Sequence, residues 1–317
     1  MRKLEGLRWE KRWVGQMGCA RPSLAYQGLE VSFPWLYGAT GHAFVINVAA
    51  EQDPSGPTCW NWQRLFRLTP NAGLRVEGFS VERQEAGDQF PARQREAWDF
   101  VRGCIDRGVP CFGWELHPCI PDHYLIYGYD DTGYLYSGWD EGHMPWDQLG
   151  THDVQVLQVY AMERCALPPD EQVVREALAT AVELAEWPDS YDVAPGFASG
   201  LEAYEVWAKA LESGKSSRDG HSYNAEVWHE CRAMAAAFLE EVTHRLPGWG
   251  GPALAAAGER YRAARDKLAA VVAMHPSREQ WDDTLTLTSP EAAALLREAG
   301  VAEREAVAAL RAVVDGR

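Results

Sequence analysis

Cys19 and His123 are the residues of this chain whose types and order best fit nucleophilic chemistry. Gly18-Cys19 opens a predicted short helix, and a thiol at a helix N-terminus meets unpaired N–H groups and the positive end of the dipole, which favour thiolate. His123 follows about a hundred residues later at the start of a predicted strand. An imidazole held there serves first as base and then as acid. The order therefore predicts a thiol–imidazole pair.

A carboxylate on the strand that returns from His123 would orient the imidazole ring. Asp140 is the first carboxylate after that predicted strand, and we expect it to fill this position. The other acidic residues nearby, such as Asp130, Asp131 and Asp147, are expected to be solvated turn residues.

A predicted antiparallel sheet positions the histidine. Residues 109–116, 123–129 and 134–139 are apolar or aromatic runs, and Asp130-Asp131-Thr132-Gly133 between the last two has turn chemistry. Residues 92–107 fit a helix with Pro91 at its start, and residues 43–48 and 153–162 fit two further strands. The three central runs predict consecutive strands.

The composition changes near residue 167, where Leu167-Pro168-Pro169 ends a Gly/Trp/Tyr-rich half and begins an Ala/Glu/Arg-rich half. Apolar stripes at helical spacing predict helices at 171–186, 201–211, 223–246 and 254–272, and one at 290–314 that breaks at Gly300. We expect an α+β fold, with an antiparallel sheet and flanking helices in domain 1–167 and an all-α helical domain in 168–317.

Charge and cysteine usage restrict the classes of partner and compartment. The net charge of −16, with no basic stripe, argues against nucleic acid. The charged N-terminal stretch MRKLEGLRWEKRW has no signal-peptide or membrane-spanning segment. Seven cysteines without CxxC pairs favour reduced thiols. A cytoplasmic protein that binds neither membrane nor nucleic acid is expected.

Five segments resemble a known family. They are residues 18–25 (GCARPSLA), 28–32 (GLEVS), 34–44 (PWLYGATGHAF), 56–60 (GPTCW) and 122–130 (DHYLIYGYD). The first, second and last are similar to papain-like bacteriocin-processing peptidases. All five together look like the N-terminal domain of the butirosin-biosynthesis acyltransferase family, whose bacterial members carry a helical C-terminal extension. The resemblance covers residues 15–162 well and the helical remainder loosely.

That resemblance implies a papain-like fold and thiol-mediated acyl transfer or amide or thioester cleavage, with no cofactor. The substrate would be a small molecule, a peptide or an acyl carrier. Gln16 would stabilise the oxyanion, although such a glutamine usually lies farther ahead of the nucleophile than three residues. The orienter would fall near Ser137 or Gly138, two residues before Asp140, which a β-bulge would absorb.

Two alternatives remain open at this point. A catalytically silent relative would bind a small molecule or peptide in a cleft lined by some of the 14 tryptophans. Candidates for substrate contact are Gly41, His42, Trp35 and Trp139. A zinc hydrolase is the other alternative, because residues 117–123 (HPCIPDH) and Cys111 bring soft ligands together, although their spacing matches no closed zinc site. The expected site contains no metal.

Overall fold

The computed structural model describes residues 1–117, 120–193, 195–278, 282 and 284–316. Its α-helices are α1 (Gly15–Tyr26), α2 (Phe33–Ala39), α3 (Gln63–Phe66), α4 (Arg83–Ala86), α5 (Phe90–Asp106), α6 (Asp170–Glu186), α7 (Ala203–Ser213), α8 (Arg218–Arg245), α9 (Gly251–Met274) and α10 (Pro290–Val314). Its strands are β1 (Arg2–Lys3), β2 (Asn47–Ala49), β3 (Leu74–Glu82), β4 (Cys111–Trp114), β5 (His123–Tyr129), β6 (Gly133–Ser137), β7 (Glu141–Pro145), β8 (Val156–Arg164), β9 (Phe197–Ser199), β10 (Ser216–Ser217) and β11 (Thr286–Leu287). The chain is therefore α+β.

The chain divides into two compact units. The first contains residues 1–33 and 72–167, and the second contains residues 34–71 and 168–317. Position 167/168 is a boundary in this division, as in the predicted domains. Residues 34–71, which we expected in the first domain, belong instead with the helical half. Their apolar side chains pack on its helices: the rings of Trp35 and Phe44, for example, lie 5.5 and 6.3 Å from the ring of Phe238 on α8.

An antiparallel sheet of seven strands forms the centre of the first unit. Its order is β3-β8-β4-β5-β6-β7, and β1 pairs with the end of β5. The three predicted central strands are confirmed as β4, β5 and β6, and the predicted strand 153–162 and helix 92–107 are confirmed as β8 and α5 with small shifts of their ends. Helices α1 and α5 both pack on the sheet.

Side-chain alternation decides which face of the sheet His123 occupies. Cys111 of β4 contacts Cys104 of α5, so the side chain of the next residue, Phe112, points to the opposite face. The His123 ring lies 5.2 Å from the Phe112 ring and therefore shares that face, away from α5.

Five helices make up most of the second unit, and four of them, α6, α8, α9 and α10, have 17 or more residues each. The predicted helices of this half are confirmed. The expected break at Gly300 is wrong, since α10 is continuous; Gly300 instead allows close packing, because a Cβ there would lie 3.0 Å from the Tyr204 Cβ.

Three short strands also lie within the segment predicted to be all-α. Strand β9 pairs with β2, and β10 pairs with β11. Strands of two or three residues are too short to show the alternation of apolar and polar residues by which a strand is recognised in a sequence. The strand predicted at 43–48 is wrong for most of its length. Residues His42–Phe44 form a 3₁₀ turn, and the strand β2 that follows has only three residues.

Across the described ranges, no helix combines the length and the apolar composition that crossing a membrane requires.

Candidate active site

Cys19 lies on α1, but not at its N-terminus. The helix begins at Gly15, so Cys19 is in its second turn, one turn later than the sequence indicated. The expected benefit from unpaired N–H groups is therefore reduced, because that effect is confined to the first turn. The reason for the early start is local: the backbone N–H groups of Met17 and Gly18 both donate to the carbonyl oxygen of Val14.

Because α1 begins at Gly15, Pro22 lies inside the helix. A proline has no N–H to donate to the carbonyl four residues earlier, here that of Gly18. The backbone N–H of Glu10 donates to the Gly18 oxygen instead, at 3.0 Å. The Ser23 hydroxyl donates to the carbonyl of Cys19 at 2.7 Å. These two bonds let α1 continue through the proline.

The Cys19 thiol is fully buried and donates to the backbone carbonyl oxygen of His123, 3.7 Å away. Residues 104 positions apart thus meet where α1 packs against β5. Burial, and to a lesser extent the carboxylate of Asp122, raises the pKa of this thiol well above its usual value. The resting group is a neutral thiol, not the thiolate that the predicted helix start implied.

His123 is the first residue of β5, and its side chain is 4% exposed. Its ring packs edge-on against Trp114 at 4.9 Å and Phe112 at 5.2 Å between ring centroids. Burial lowers the pKa of this histidine to about 3. At neutral pH the imidazole is therefore uncharged, and the same burial makes it a weaker base than an ordinary histidine.

Asp122 is the carboxylate beside this pair. Oδ1 accepts from the backbone N–H of His123 at 2.7 Å, and Oδ2 accepts from the indole of Trp139 at 2.7 Å. Gly15 permits this arrangement, because a Cβ there would lie 2.2 Å from Oδ1 of Asp122. A carboxylate at the start of α1 stabilises the helix but offsets the positive dipole end that Cys19 was expected to feel.

Asp140, the predicted orienter, is exposed and lies 3.7 Å from Nε2 of His117. Asp140 thus lies beside His117, on the loop that precedes β5. The sequence pointed to Asp140 because this residue follows the return strand. The carboxylate that contacts the His123 backbone is instead that of Asp122, the residue directly before His123. The only feature of the sequence that could have indicated Asp122 is its position next to His123.

Gln16 is 2% exposed and lies on the same side of α1 as Cys19, three residues earlier. Its Oε1 makes no hydrogen bond with any part of the chain that the structure describes. Buried amides are almost always fully paired, so an unused amide oxygen beside a thiol is unusual.

An aromatic cluster surrounds Trp139 in the first unit. The rings of Trp9 and Trp13 each lie 5.4 Å from it, and the Lys11 ammonium lies 5.2 Å from its centroid. Trp139 is half-buried. The cluster combines apolar surface with a hydrogen-bonding edge, which suits ligand contact. Sequence reasoning selected Trp139 but missed Trp9 and Trp13.

The other three candidates for substrate contact belong to the second unit. Gly41 has φ of 79°, and His42 follows it with its ring 5.4 Å from Trp62 and 5.6 Å from Trp60. Trp35 is 2% exposed and stacks beneath the guanidinium of Arg245 at 3.8 Å. Within this unit Trp35 is a packed core residue.

Glu115 is a residue with unusual geometry that the sequence did not single out. It directly follows β4, has φ of 56° and is 2% exposed. Its Oε1 accepts from the Val154 N–H at 2.9 Å, while Oε2 makes no hydrogen bond to the residues described. Burial raises the pKa of this carboxyl. Strained backbone of this kind is concentrated at functional sites.

The zinc alternative depended on the loop at residues 117–123. Cys119 lies outside the described residues, so its part in that alternative has no structural description. Among the residues that are described, no group of three or more His, Cys, Asp or Glu side chains is arranged to hold a metal ion.

A surface groove of about 730 Å³ lies elsewhere, in the second unit. Its lining combines the acidic and basic side chains of Glu171 and Arg175 with the ring of Trp249, whose centroid is 5.5 Å from the guanidinium carbon. None of the predicted site residues lines this groove.

No model of a known protein family matches the chain, and no curated protein matches it.

Proposed function

We propose that the first unit carries out thiol-dependent acyl chemistry, either acyl transfer or hydrolysis of an amide or thioester. Cys19 would be the nucleophile and His123 the proton acceptor. The observation that supports this most is the contact of the Cys19 sulfur with the His123 backbone across 104 residues of chain. A papain-like architecture, with the cysteine helix packed on the histidine strand, is part of the proposal.

The reaction would start from neutral groups. As the Cys19 sulfur attacks an acyl carbon, an S–C bond forms, the sulfur proton moves to an imidazole nitrogen of His123, and the carbonyl electrons move to oxygen. Collapse expels the leaving amine or thiol, which takes that proton, and leaves a thioester on Cys19. Water or an acceptor amine then releases the acyl group. The first transfer needs an unprotonated histidine, as His123 is at neutral pH, and because burial makes His123 a weak base this transfer has to accompany formation of the S–C bond.

Two further residues have defined parts in this proposal. Gln16 would stabilise the oxyanion by donating from its Nε2 amide group, since it is buried one helical turn before Cys19. Asp122, held by Trp139, would fix the position of His123 through its backbone N–H. It would replace Asp140, which was expected to orient the imidazole ring.

The test is covalent trapping with a small acyl thioester. We expect mass spectrometry to find an acyl group on Cys19 that hydroxylamine removes. The adduct should be absent from Cys19→Ala, at least tenfold slower to form in His123→Gln, and unaffected in Cys165→Ser, a matched control on the same unit. Turnover by Cys19→Ala at the wild-type rate would refute the proposal.

A catalytically silent binding protein is the second candidate, and the complete burial of the Cys19 sulfur favours it. In that case the cluster of Trp9, Trp13 and Trp139 would hold a small molecule or peptide. The same thioester then binds, as seen by tryptophan fluorescence, with equal affinity in wild type and Cys19→Ala. Its affinity falls in Trp139→Leu, and no acyl-enzyme forms.

A further inference from the structure

The last turn of α5 and the first residue of β4 bring two free thiols together, those of Cys104 and Cys111. The two thiols are near enough to interact directly, since each shifts the pKa of the other, and the Cys111 sulfur also lies 4.0 Å from the carbonyl oxygen of Val109. Both side chains are buried, at 1% and 0% exposed. This pair is separate from Cys19 and takes no part in the acyl chemistry above.

The turn between the two elements fixes the contact. Gly108 has φ of 81°, its N–H donates to Ile105 at 3.0 Å, and the N–H of Val109 donates to Cys104 at 3.0 Å. These two bonds form the Schellman motif that ends many helices. The motif folds the chain back over the final helical turn, so that β4 begins next to Cys104. Pairing of β4 with β5 and β8 then holds Cys111 in place.

A guanidinium group completes the cluster. Nη2 of Arg107 lies 3.5 Å from the Cys104 sulfur. Interaction with the neighbouring Cys111 thiol lowers the pKa of Cys104 to about 7; burial opposes this shift and the charge of Arg107 adds to it. Burial and the neighbouring Cys104 raise the pKa of Cys111 well above its usual value. One sulfur therefore holds negative charge near neutral pH while the other keeps its proton.

We propose that Cys104 and Cys111 are a redox site that a hydroperoxide converts into a disulfide. The Cys104 thiolate attacks one peroxide oxygen, the O–O bond breaks, and hydroxide leaves; Cys104 becomes a sulfenic acid. The Cys111 sulfur then attacks the Cys104 sulfur, an S–S bond forms, and water leaves with the Cys111 proton. Two thiols are oxidised and one peroxide is reduced, and a dithiol reductant reverses the reaction.

Two more accessible cysteines, Cys59 and Cys165, show what distinguishes this pair. Cys59 is exposed and Cys165 is partly exposed, yet burial raises the pKa of each. If accessibility alone governed oxidation, Cys59 would react first. If thiolate character governs it, Cys104 reacts first although it is buried.

The experiment treats reduced full-length protein with hydrogen peroxide, followed by intact-mass measurement and peptide mapping. We expect the loss of two hydrogen atoms and a Cys104–Cys111 crosslink. Cys111→Ser should retain a Cys104 sulfenic acid that dimedone captures. Cys104→Ser should be oxidised much more slowly than the wild type, and Cys165→Ser should be oxidised at the wild-type rate. Arg107→Gln should slow the attack of Cys104 on the peroxide about fivefold at pH 7, because the fraction of Cys104 present as thiolate falls.

Mapping of the wild-type protein keeps the test decisive if a serine variant fails to fold. Oxidation that occurs first at Cys59, with Cys104 and Cys111 still recovered as thiols, overturns the proposal. Oxidation of Cys104→Ser at the wild-type rate overturns it as well.

Discussion

The indole nitrogen of Trp139 donates to Oδ2 of Asp122 at 2.7 Å, while Oδ1 of the same carboxylate accepts the N–H of His123. Both oxygens are therefore fixed, and Asp122 is 5% exposed. A negative charge held in this position disfavours ionisation of the nearby thiol. Trp139 thus acts on Cys19 through a carboxylate, in addition to any contact it makes with a ligand.

Replacement of Asp122 by Asn should make Cys19 more reactive. Burial is the larger cause of the raised pKa of Cys19, so the wild-type thiol should react with iodoacetamide more slowly than free cysteine. Asp122→Asn removes the second cause, and we expect alkylation to accelerate several-fold, since each pKa unit changes the thiolate fraction about tenfold. Peptide mapping of alkylated protein measures the rate.

Asp140→Asn is the matched control, because Asp140 is exposed and lies beside His117. It should leave the alkylation rate of Cys19 unchanged. An equal effect of the two substitutions would show that the contact of Asp122 with this site has no special electrostatic importance.

The buried His123 should make the protein sensitive to acid. Its folded-state pKa is about 3 against an ordinary 6.5, so between these values the unfolded state binds the proton and the folded state does not. Stability is unaffected above pH 6.5, falls by up to about 1.4 kcal/mol per pH unit as pH decreases toward 3, and levels off below it. Urea unfolding at pH 7, 5.5 and 4.5 measures the slope.

His221 has a similarly low pKa and contributes its own slope, so the comparison must be between variants. His123→Gln should reduce the dependence of the unfolding free energy on pH below pH 6.5, because one of the two buried histidines no longer contributes to it. An unchanged slope would mean that His123 is protonated in the folded protein.

The buried pair of Arg232 and Glu303 should be essential to the second unit. Both are almost fully buried, with two hydrogen bonds of 2.7 Å between them, and Tyr204 donates to the same carboxylate at 2.5 Å. Glu303→Gln leaves the guanidinium charge without its counter-charge, and we expect a loss of about 3–5 kcal/mol in unfolding free energy. Thermal or urea unfolding measures it.

A surface ion pair gives the contrast. Arg260 and Glu305 are 54% and 50% exposed at 2.9 Å, so Arg260→Gln should cost less than about 1 kcal/mol. Similar losses for Glu303→Gln and Arg260→Gln would contradict the buried network.

Two helical glycines should respond in opposite directions to alanine. At Gly38 on α2 a Cβ would lie 2.0 Å from the Phe238 ring, so Gly38→Ala should destabilise by about 1–3 kcal/mol despite its better helix propensity. At Gly258 on α9 the nearest atom would be 3.7 Å away, and Gly258→Ala should stabilise by about 0.5–1 kcal/mol. Unfolding midpoints compare them, and a stabilising Gly38→Ala would show that the contact with Phe238 is loose.

Much of the framework follows from local sequence patterns. The turn residues 130–133, the apolar runs on either side, and Pro91 before a helical stripe predicted β5, β6 and α5, because these signals act over a few residues. The helical spacing of residues 171–186 predicted α6 for the same reason. The order of Cys19 before His123 also indicated a pair, and the thiol does contact the His123 backbone.

Tertiary structure decided what those residues are able to do. Whether Cys19 is a thiolate depends on its burial and on a carboxylate from the loop before β5, and neither is encoded near residue 19. The Gly18 carbonyl, which Pro22 leaves without a helical donor, accepts the N–H of Glu10 from outside the helix, and α1 therefore continues through Pro22. Local patterns determine which elements form, whereas ionisation depends on which distant groups surround a side chain and exclude water from it.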